Sequence, residues 1–258
     1  MSRKILFATD LDNTLIHSLR HKREGDVCVE WLDGGEWGYM SAEAIGLLRR
    51  VREHAEVIPV TTRSIAQYQR IRWPEGLQPR CAVTTNGAVM LEDDAPRADW
   101  QAGTEAIVSP VCQQLEQLTE QMHATGRFLR CRMVDGMYAF VYCREREQAV
   151  AVEAEHRDMP GIRCVRSAKK VYFFPEGLDK GTAVTRLRQL IAPDHMVSAG
   201  DSSIDVPMLR LADTAIAPAS AKLPVEGGDV RLCTGEDFAC DVLREVLSVC
   251  SAEDPADA

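Results

Sequence analysis

The chain has 258 residues, of which 45% are hydrophobic and 27% are charged, and its formal net charge is −9. This composition excludes a fibrous or wholly disordered chain, and the length allows one large domain or two smaller ones. A nucleic-acid partner is not expected, because phosphate backbones require a basic protein surface. No apolar run approaches the ~20 residues of a membrane span, and the run that ends at Asp10 is too short for a secretory leader. We therefore expect a cytoplasmic protein without a membrane partner.

The nine cysteines are spread through the chain and include no Cys-x-x-Cys pair. This spacing gives no support for a zinc ribbon or a thioredoxin-like redox motif. Several of them lie within apolar, strand-like runs, as Cys81 does. We expect free thiols that pack as small hydrophobic side chains.

The first predicted element is a buried strand at Ile5–Thr9, a continuous apolar run that stops at Asp10. Ser41 and Asp179 are candidate N-caps of helices. The first helix would bury Ile45, Leu48 and Val51, and the second Ala183, Leu187 and Leu190. Further short apolar runs occupy residues 57–60, 81–83, 196–199 and 215–217. Strands alternating with helices predict a doubly wound, Rossmann-like α/β fold with a parallel sheet.

The segment at about 17–40 follows the first strand and contains two strand-like runs around Asp33-Gly34-Gly35. This pattern predicts a hairpin directly after Asp10 and Asp12. The sequence leaves two interpretations open. The hairpin is either a flap beside those aspartates or an edge hairpin that extends the sheet.

The middle of the chain interrupts the parallel pattern. A helix begins at Ser109-Pro110, a hairpin turns at Asp135-Gly136, a second helix covers about 145–156, and strands follow at 162–165 and 171–174. The first of these helices carries apolar residues at Val111, Leu115, Leu118 and Met122. We interpret this α+β unit as an insertion. The predicted division is a core at 1–87, the insertion at 88–178, the rest of the core at 179–250 and a disordered tail at 251–258.

Polar residues stand where the predicted parallel strands end. They are Asp10 and Asp12, then Thr61, Thr62 and Arg63, then Asn86, and finally Asp201 and Asp205. Ligands of open α/β sheets bind in the crevice at this edge. Four carboxylates in one crevice repel each other, so a cation is required there. Oxygen ligands favour Mg²⁺, and Lys180, near a helix N-terminus, supplies a cation from the protein itself.

Four segments resemble, in order, the four motifs of the haloacid dehalogenase (HAD) superfamily. They are residues 10–15 (DLDNTL), 60–63 (VTTR), 178–183 (LDKGTA) and 200–209 (GDSSIDVPML). Residues 86–88 (NGA) and 174–177 (FPEG) resemble the branch whose α+β cap lies between motifs two and three. That branch includes Cof-like sugar phosphatases and sucrose-phosphate phosphatases. Asn13 and Thr62 stand where many members carry glycine, which leaves the subfamily open.

The resemblance implies a HAD core with an inserted cap and a Mg²⁺-dependent phosphatase of a small phosphorylated metabolite, with a sugar phosphate favoured. Asp10 would be the nucleophile that forms an aspartyl-phosphate, and Asp12 the general acid and base. The metal ligands would come from Asp10, Asp12, Asp201 and Asp205. Thr61, Thr62, Lys180 and Asn86 would bind the phosphate. For Asn86, a simple turn ahead of Gly87 is an equally good interpretation.

The predicted hairpin offers candidates for substrate specificity. With a two-residue turn at Asp135-Gly136, strand alternation places Arg130 and Arg132 on one face. The aromatic residues of the second strand would then lie on the other face, against the cap helices. The resemblance implies that the open face covers the active site, where the two arginines would contact an anionic or polyhydroxyl part of the substrate. Solvated surface arginines are the ordinary alternative.

Two other functions share the same motifs. One is phosphomannomutase-like transfer, which uses an aspartyl-phosphate with a sugar bisphosphate as activator. The other is a non-catalytic sensor of phosphorylated ligands, although no nucleophile or metal ligand is missing here. The motifs contact only the phosphate group, so they identify neither the alcohol that is released nor the oligomeric state.

Overall fold

The structure is a computed structural model that describes residues 3–226 and 228–252. The strands are β1 (Ile5–Thr9), β2 (His17–Ser18), β3 (Val27–Leu32), β4 (Gly35–Met40), β5 (Ala55–Pro59), β6 (Cys81–Thr84), β7 (Val89–Glu92), β8 (Ala95–Pro96), β9 (Arg130–Val134), β10 (Tyr138–Tyr142), β11 (Ile162–Ser167), β12 (Lys170–Pro175), β13 (His195–Ala199), β14 (Thr214–Pro218) and β15 (Asp229–Cys233). The α-helices are α1 (Ala42–Val51), α2 (Ile65–Tyr68), α3 (Ala98–Val108), α4 (Cys112–Ala124), α5 (Arg146–Glu155), α6 (Lys180–Ile191), α7 (Val206–Leu209) and α8 (Phe238–Ser251).

A five-stranded parallel sheet in the order β15-β14-β13-β1-β5 forms the centre of the fold. Alternate side chains of its strands enter two separate hydrophobic clusters. Phe7 packs in a cluster with α1 and α8, whereas Leu6 and Ala8 pack in a cluster with α6. Helices therefore cover both faces of the sheet, which confirms the predicted doubly wound, Rossmann-like α/β fold.

The two predicted helix caps are confirmed. The Ser41 hydroxyl accepts a hydrogen bond from the amide of Ala44, and the Asp179 carboxylate accepts one from the amide of Thr182. The predicted buried face of α6 was wrong at its C-terminal end, because Leu190 is 45% exposed. The buried stripe of this helix instead begins at Lys180 and ends at Leu187.

The segment at 17–40, called the flap below, is a three-stranded antiparallel sheet in the order β2-β4-β3. It is separate from the central sheet, so the edge-hairpin interpretation was wrong. An isolated bridge joins Glu30 of the flap to Ile71, and the amide of Arg72 donates to the carbonyl of Val29 at 2.7 Å. These contacts hold the flap against the residues that follow α2.

The first part of the predicted insertion packs with the core. β6, β7 and β8 form a small antiparallel sheet, and helix α3, which the sequence did not predict, follows it. Met90 and Trp100 join the hydrophobic cluster of Leu6 and α6, and the indole of Trp100 donates to the carbonyl of Gly87 at 3.0 Å. We therefore propose that the inserted unit begins near Ser109 rather than at residue 88.

The inserted unit contains a four-stranded antiparallel sheet in the order β11-β12-β10-β9, called the cap sheet below. Ala139, Val141 and Phe173 on one of its faces share a hydrophobic cluster with α4 and α5. The predicted apolar stripe of the first cap helix is buried at Val111, Leu115, Leu118 and Met122. These helices therefore cover one face of the cap sheet and leave the other face toward the core.

The predicted face of the aromatic residues was wrong. Phe140 lies opposite Arg132 and Tyr142 lies opposite Arg130, so the aromatic residues and the arginines share one face. Three residues, 135–137, separate the paired Val134 and Tyr138, instead of the predicted two. Because a strand alternates its side chains, one additional residue in the turn moves the whole set of β10 to the opposite face.

The end of the chain differs slightly from the prediction. Helix α8 includes Ser251, the first residue of the segment that was predicted as a disordered tail, and residues 253–258 lie outside the described part. All nine cysteines are free thiols, as predicted. Among the described helices, none combines the length and the apolar character that a membrane span requires.

Candidate active site

Three of the predicted aspartates meet at the carboxyl end of the central sheet. β1 and β13 are paired neighbours, and the amide of Asp10 donates to the carbonyl of Ala199 at 2.9 Å. One carboxylate oxygen each of Asp10, Asp201 and Asp205 lies within 4.8 Å of the other two. Gly200 permits this approach, because a Cβ atom there would overlap the side chain of Asp205. These three residues are called the carboxylate cluster below.

Lys180 is the protein's own cation in this cluster. Its Nζ atom donates to Asp10 Oδ1 at 2.6 Å and to Asp205 Oδ1 at 2.5 Å, and its side chain is 1% exposed. Burial alone would lower the pKa of Lys180, but the two carboxylates outweigh burial and raise it above its usual value. The ammonium group therefore stays charged and neutralises part of the cluster.

The sequence around α6 explains how Lys180 reaches this position. Asp179 caps the helix, so Lys180 is its first residue and its side chain starts at the edge where the parallel strands end. Gly181 packs against Pro207, where a Cβ atom would lie 2.8 Å from the Pro207 carbonyl oxygen. A larger residue at 181 would move the helix N-terminus away from the cluster.

One lysine does not balance three carboxylates. Burial, followed by the charges of Asp205, Asp201 and Asp12, raises the pKa of Asp10 well above its ordinary value, although Lys180 acts in the opposite direction. Burial and the charge of Asp205 raise the pKa of Asp201 to about 7. The cluster therefore favours either bound protons or an additional cation.

The donor set of the cluster fits a hard divalent cation. Its three residues offer carboxylate oxygens that converge within 4.8 Å, which is the type of ligand that Mg²⁺ prefers. Asp205 is already engaged by the protein, since its Oδ2 accepts from the amide and the hydroxyl of Ser202 at 2.9 and 2.8 Å. Asp10 and Asp201 thus carry the oxygens that are least committed to protein donors.

The structure does not bring the side chain of Asp12 into the carboxylate cluster, in contrast to its predicted role as a metal ligand. Arg63 holds it instead, donating from Nε to Oδ2 at 3.0 Å and from Nη2 to Oδ1 at 2.7 Å. Desolvation in the crevice raises the pKa of Asp12, but the charge and hydrogen bonds of Arg63 outweigh this effect and hold the pKa below its ordinary value. The Asp12 side chain is 53% exposed, so it stays accessible while it is held in one orientation.

Thr61 and Thr62 lie in the turn that follows β5. Thr61 is fully buried, and its hydroxyl oxygen accepts from the amide of Arg63 at 3.2 Å. That contact leaves the hydroxyl hydrogen able to donate to a ligand. The carbonyl of Thr62 accepts from the hydroxyl of Tyr138 at 2.8 Å, which ties the turn to the cap sheet.

Asn86 links two segments of the candidate site by hydrogen bonds. Its backbone amide donates to the carbonyl of Thr61 at 2.9 Å, and its side-chain nitrogen lies 3.4 Å from the carbonyl of Leu178, to which it donates. Its φ of 57° is left-handed, which asparagine tolerates better than most residues. Asn86 therefore connects the Thr61 turn to the segment ahead of Lys180. We propose that it positions these two segments and does not itself contact phosphate.

The two departures from the superfamily pattern have simple backbone explanations. Asn13 has a φ of 60°, a left-handed conformation that glycine or asparagine can adopt. Thr62 is outside the left-handed region, so a side chain is accommodated there without strain. Neither departure disturbs the groups around Asp10.

The cap sheet covers this edge of the core. Tyr172 of the cap sheet packs in the hydrophobic cluster that contains Leu11 and Leu15 of the core. Burial, followed by the charges of Asp12, Asp10 and Asp205, raises the pKa of Tyr172. The turn of the cap hairpin reaches the core, since Asp135 Oδ2 accepts from the amide of Ile65 at 3.0 Å and from the hydroxyl of Thr85 at 2.5 Å. The cap and the turn after β5 are thus joined by hydrogen bonds.

Two residues of the site had no role in the sequence prediction. Arg63 was placed at a strand end without a role, and Glu30 was not singled out. Glu30 is a fully buried carboxylate on the flap, and its Oε2 lies 2.9 Å from Arg63 Nη2. Arg63 follows directly after the two threonines, which was the available signal for it. No comparable signal marks Glu30, because its inward direction depends on irregular pairing within the flap.

The excess negative charge of the carboxylate cluster predicts how stability depends on pH in the absence of metal. Between the ordinary value of 3.8 and about 7, folded Asp201 keeps a proton that the unfolded chain has released. The free energy of unfolding should therefore fall as the pH rises through this range. Each kcal/mol that is lost should lower the unfolding temperature by about 2–4 °C. Thermal unfolding in a chelator at several pH values measures this slope. The variant Asp201→Asn should flatten it, and a flat profile in the unmodified protein would contradict the prediction.

Comparison with known proteins gives one family match and several structures with a similar fold. A profile of a family described as haloacid dehalogenase-like hydrolases matches residues 132–226, and no curated protein matches the chain. The fold resembles that of sucrose-phosphatase from Synechocystis in complex with sucrose and phosphate, with 14% identity, a TM-score of 0.63 and coverage of 96% of this chain and 98% of that one.

Two further solved structures share the fold. The C-terminal domain of trehalose-6-phosphate phosphatase from C. albicans has 13% identity and a TM-score of 0.62, covering 98% of this chain and 93% of that one. A haloacid dehalogenase-like hydrolase from B. subtilis has 17% identity and a TM-score of 0.61, covering 95% and 99%. Residues 132–226 thus match the haloacid dehalogenase-like hydrolase family, and the chain as a whole shares the fold of these three structures.

Proposed function

We propose that this protein is a Mg²⁺-dependent phosphatase that hydrolyses a small phosphorylated metabolite through an aspartyl-phosphate on Asp10. The observation that carries the proposal is the buried Asp10 carboxylate, which Lys180 holds at 2.6 Å within a cluster of three converging aspartates. A carboxylate so placed can attack phosphorus, while Lys180 and a Mg²⁺ ion held by the cluster would offset the negative charge of the phosphate.

The first step transfers the phosphoryl group to the protein. An oxygen of Asp10 attacks the phosphorus atom, the bond from phosphorus to the alcohol oxygen breaks, and Asp12 gives a proton to the departing alkoxide. Lys180 occupies Oδ1 of Asp10 and thereby orients the carboxylate. A phosphate dianion close to Asp12 favours its protonated form, because like charges raise a carboxyl pKa.

The second step releases phosphate. Asp12, which Arg63 keeps in one orientation, takes a proton from water as the water oxygen attacks the phosphorus of the aspartyl-phosphate. The bond between phosphorus and Asp10 breaks, and Asp10 returns as a carboxylate. Thr61 donates a hydrogen bond to the phosphoryl oxygens. A Mg²⁺ ion held by Asp10, Asp201 and Asp205 would neutralise charge on those oxygens.

The cap sheet supports a sugar phosphate as substrate. Phe140 and Tyr172 lie beside Arg132 on the face turned toward the site, and this combination suits a polyhydroxyl ring that carries a polar or anionic group. Arg132 has a buried Nε atom without a hydrogen-bond partner, and its Nη2 lies 3.4 Å from Gln67 Oε1. We propose that Arg132, with the exposed Arg130 farther out, contacts the alcohol portion of the substrate. Sucrose-phosphatase and trehalose-6-phosphate phosphatase share this fold.

A panel assay tests the proposed function. The purified full chain is incubated with hexose phosphates, hexose bisphosphates, disaccharide phosphates and phosphoglycerate, and free phosphate is followed with Mg²⁺ or with a chelator. We expect phosphate release from at least one sugar phosphate, a loss of activity on the order of 100-fold or more in chelator, and recovery when Mg²⁺ is returned.

Three results would contradict the proposal. Isomerised sugar phosphate without net release of phosphate would show a phosphoryl transferase of the mutase type. Release that continues undiminished in chelator would show that the reaction does not use a metal ion. Absence of turnover on the whole panel, together with tight binding of phosphorylated ligands, would instead show a sensor.

A further inference from the structure

Glu30 is a buried carboxylate on the flap that lies between two arginines. Its Oε1 accepts from Arg70 Nε at 3.0 Å and from Arg70 Nη2 at 2.8 Å. Its Oε2 lies 2.9 Å from Arg63 Nη2, an ion-pair contact whose angle falls short of a hydrogen bond. A charge removed from water is costly unless it is paired. The flap therefore holds the Glu30 carboxylate in a buried position, where the two arginines pair with its charge.

Three features of the flap turn Glu30 toward the core. The pairing of β3 with β4 shifts register on both sides of Glu30, and such irregularities redirect a side chain. The residue opposite is Gly38, where an added Cβ would lie 3.1 Å from Glu30 Oε2. The bridge from Glu30 to Ile71 fixes the backbone at the same position. The local structure thus leaves room for this carboxylate and holds it in place.

Arg63 connects Glu30 to the predicted acid and base. Its guanidinium contacts Glu30 through Nη2 and holds both oxygens of Asp12 through Nε and Nη2. Arg63 is 7% exposed, whereas the Asp12 side chain is 53% exposed. Within the described part of the chain, Arg63 supplies the side-chain hydrogen bonds that Asp12 accepts. The orientation of Asp12 therefore depends on where Arg63 is held.

We infer that Glu30 is a positioning residue that fixes the guanidinium of Arg63 and through it the carboxyl group of Asp12. This inference rests on the proposed phosphatase function and adds the flap to the proton-transfer machinery. Glu30 itself touches neither the phosphate nor the alcohol. Its contribution should appear only where the reaction needs a proton from a well-oriented Asp12.

The leaving group provides a test that a merely structural role would not affect. An alkyl phosphate needs a proton on its departing oxygen, whereas p-nitrophenyl phosphate releases a stable anion that does not. The parameter kcat/KM covers the steps up to departure of the alcohol. In Glu30→Gln we expect kcat/KM for the best alkyl substrate to fall about 10- to 100-fold, and kcat/KM for p-nitrophenyl phosphate to fall less than about 3-fold.

Arg70→Gln is the matched control, because it removes the other partner of Glu30 and leaves Arg63 and Asp12 in place. It should preserve the ratio of the two kcat/KM values. In an Asp12→Asn background, Glu30→Gln should cause no additional loss with the alkyl substrate, since both changes act on one group. If Glu30→Gln does not fold, Gly38→Ala crowds the same carboxylate and should give the same leaving-group signature.

The failures of the two proposals are distinguishable. Unmodified protein that releases phosphate from neither substrate would contradict the phosphatase function itself. Active unmodified protein with an equal fall for both substrates in Glu30→Gln, or with no fall for either, would overturn the role of Glu30. An additional loss in the Asp12→Asn background would overturn it as well, because Glu30 would then act through another group.

Discussion

Replacing Asp10 by asparagine should abolish turnover while the protein stays folded. Asparagine has nearly the same shape, but its amide cannot form an aspartyl-phosphate, so kcat should fall at least about 1,000-fold. The carboxylate cluster holds one lysine and three carboxylates, and Lys180 keeps its contact with Asp205 at 2.5 Å. Removing one negative charge therefore improves the local balance, and the unfolding temperature should change by only a few degrees.

Kinetics and intact mass measured together test this expectation. After rapid quenching with substrate, the unmodified protein should carry one additional phosphoryl group, which Asp10→Asn should lack. Asp93→Asn is a matched control, because Asp93 is an exposed turn residue with a φ of 48° that asparagine can adopt. It should retain full activity. Full activity in Asp10→Asn would refute the covalent mechanism.

The sequence predicted the parts of the site that depend only on backbone topology. Asp10 and Asp201 follow β1 and β13, two buried apolar runs that are readily recognised. Because neighbouring parallel strands end at one edge, the order of strands and polar residues was enough to bring these carboxylates together. The same reasoning located Lys180, since the Asp179 cap fixes where α6 begins.

What the sequence did not predict depends on the direction of single side chains. One additional residue in the turn at 135–137 put Phe140 on the face of Arg132, and register shifts around Glu30 turned a flap carboxylate inward. Both effects are one-residue changes in pairing, and a one-residue slip reverses the side chains of a strand. The same limit applies to Asp12, because its contact with Arg63 cannot be derived from the spacing of the two residues.

These two unpredicted features act on different parts of the proposed reaction. The flap, through Glu30 and Arg63, reaches Asp12, whereas the cap sheet, through Phe140 and Arg132, would face the alcohol portion of the proposed substrate. The residues proposed to bind phosphate, Thr61 and Lys180, belong to the core at the sheet edge. Variants in the flap should therefore change proton transfer, and variants in the cap should change the choice of substrate.

Replacing Lys180 by methionine should have the largest effect on stability. Methionine fills similar space, but it leaves Asp10 and Asp205 buried without the ammonium group that bridges them at 2.6 and 2.5 Å. Loss of one partner of a buried ion pair costs about 3–5 kcal/mol. At about 2–4 °C for each kcal/mol, we expect the unfolding temperature of the metal-free protein to fall by roughly 10 °C. Activity should also be lost, because Asp10 is no longer oriented.

The pH and the metal separate this electrostatic effect from a packing defect. Without Lys180 the pKa of Asp10, already raised by burial, should rise further, so the folded state keeps protons that the unfolded state releases. Its stability should then be nearer that of the unmodified protein at about pH 5 and should fall as the pH rises to about 8. Mg²⁺ should restore part of the loss by supplying the missing positive charge.

Lys169→Met is the control, because Lys169 lies on the exposed side of the cap with a solvated ion pair to Glu145 and should change the unfolding temperature by only a degree or two. A deficit in Lys180→Met that is the same at both pH values and unchanged by Mg²⁺ would show that the lysine acts by packing alone, and the charge balance proposed for the carboxylate cluster would be wrong.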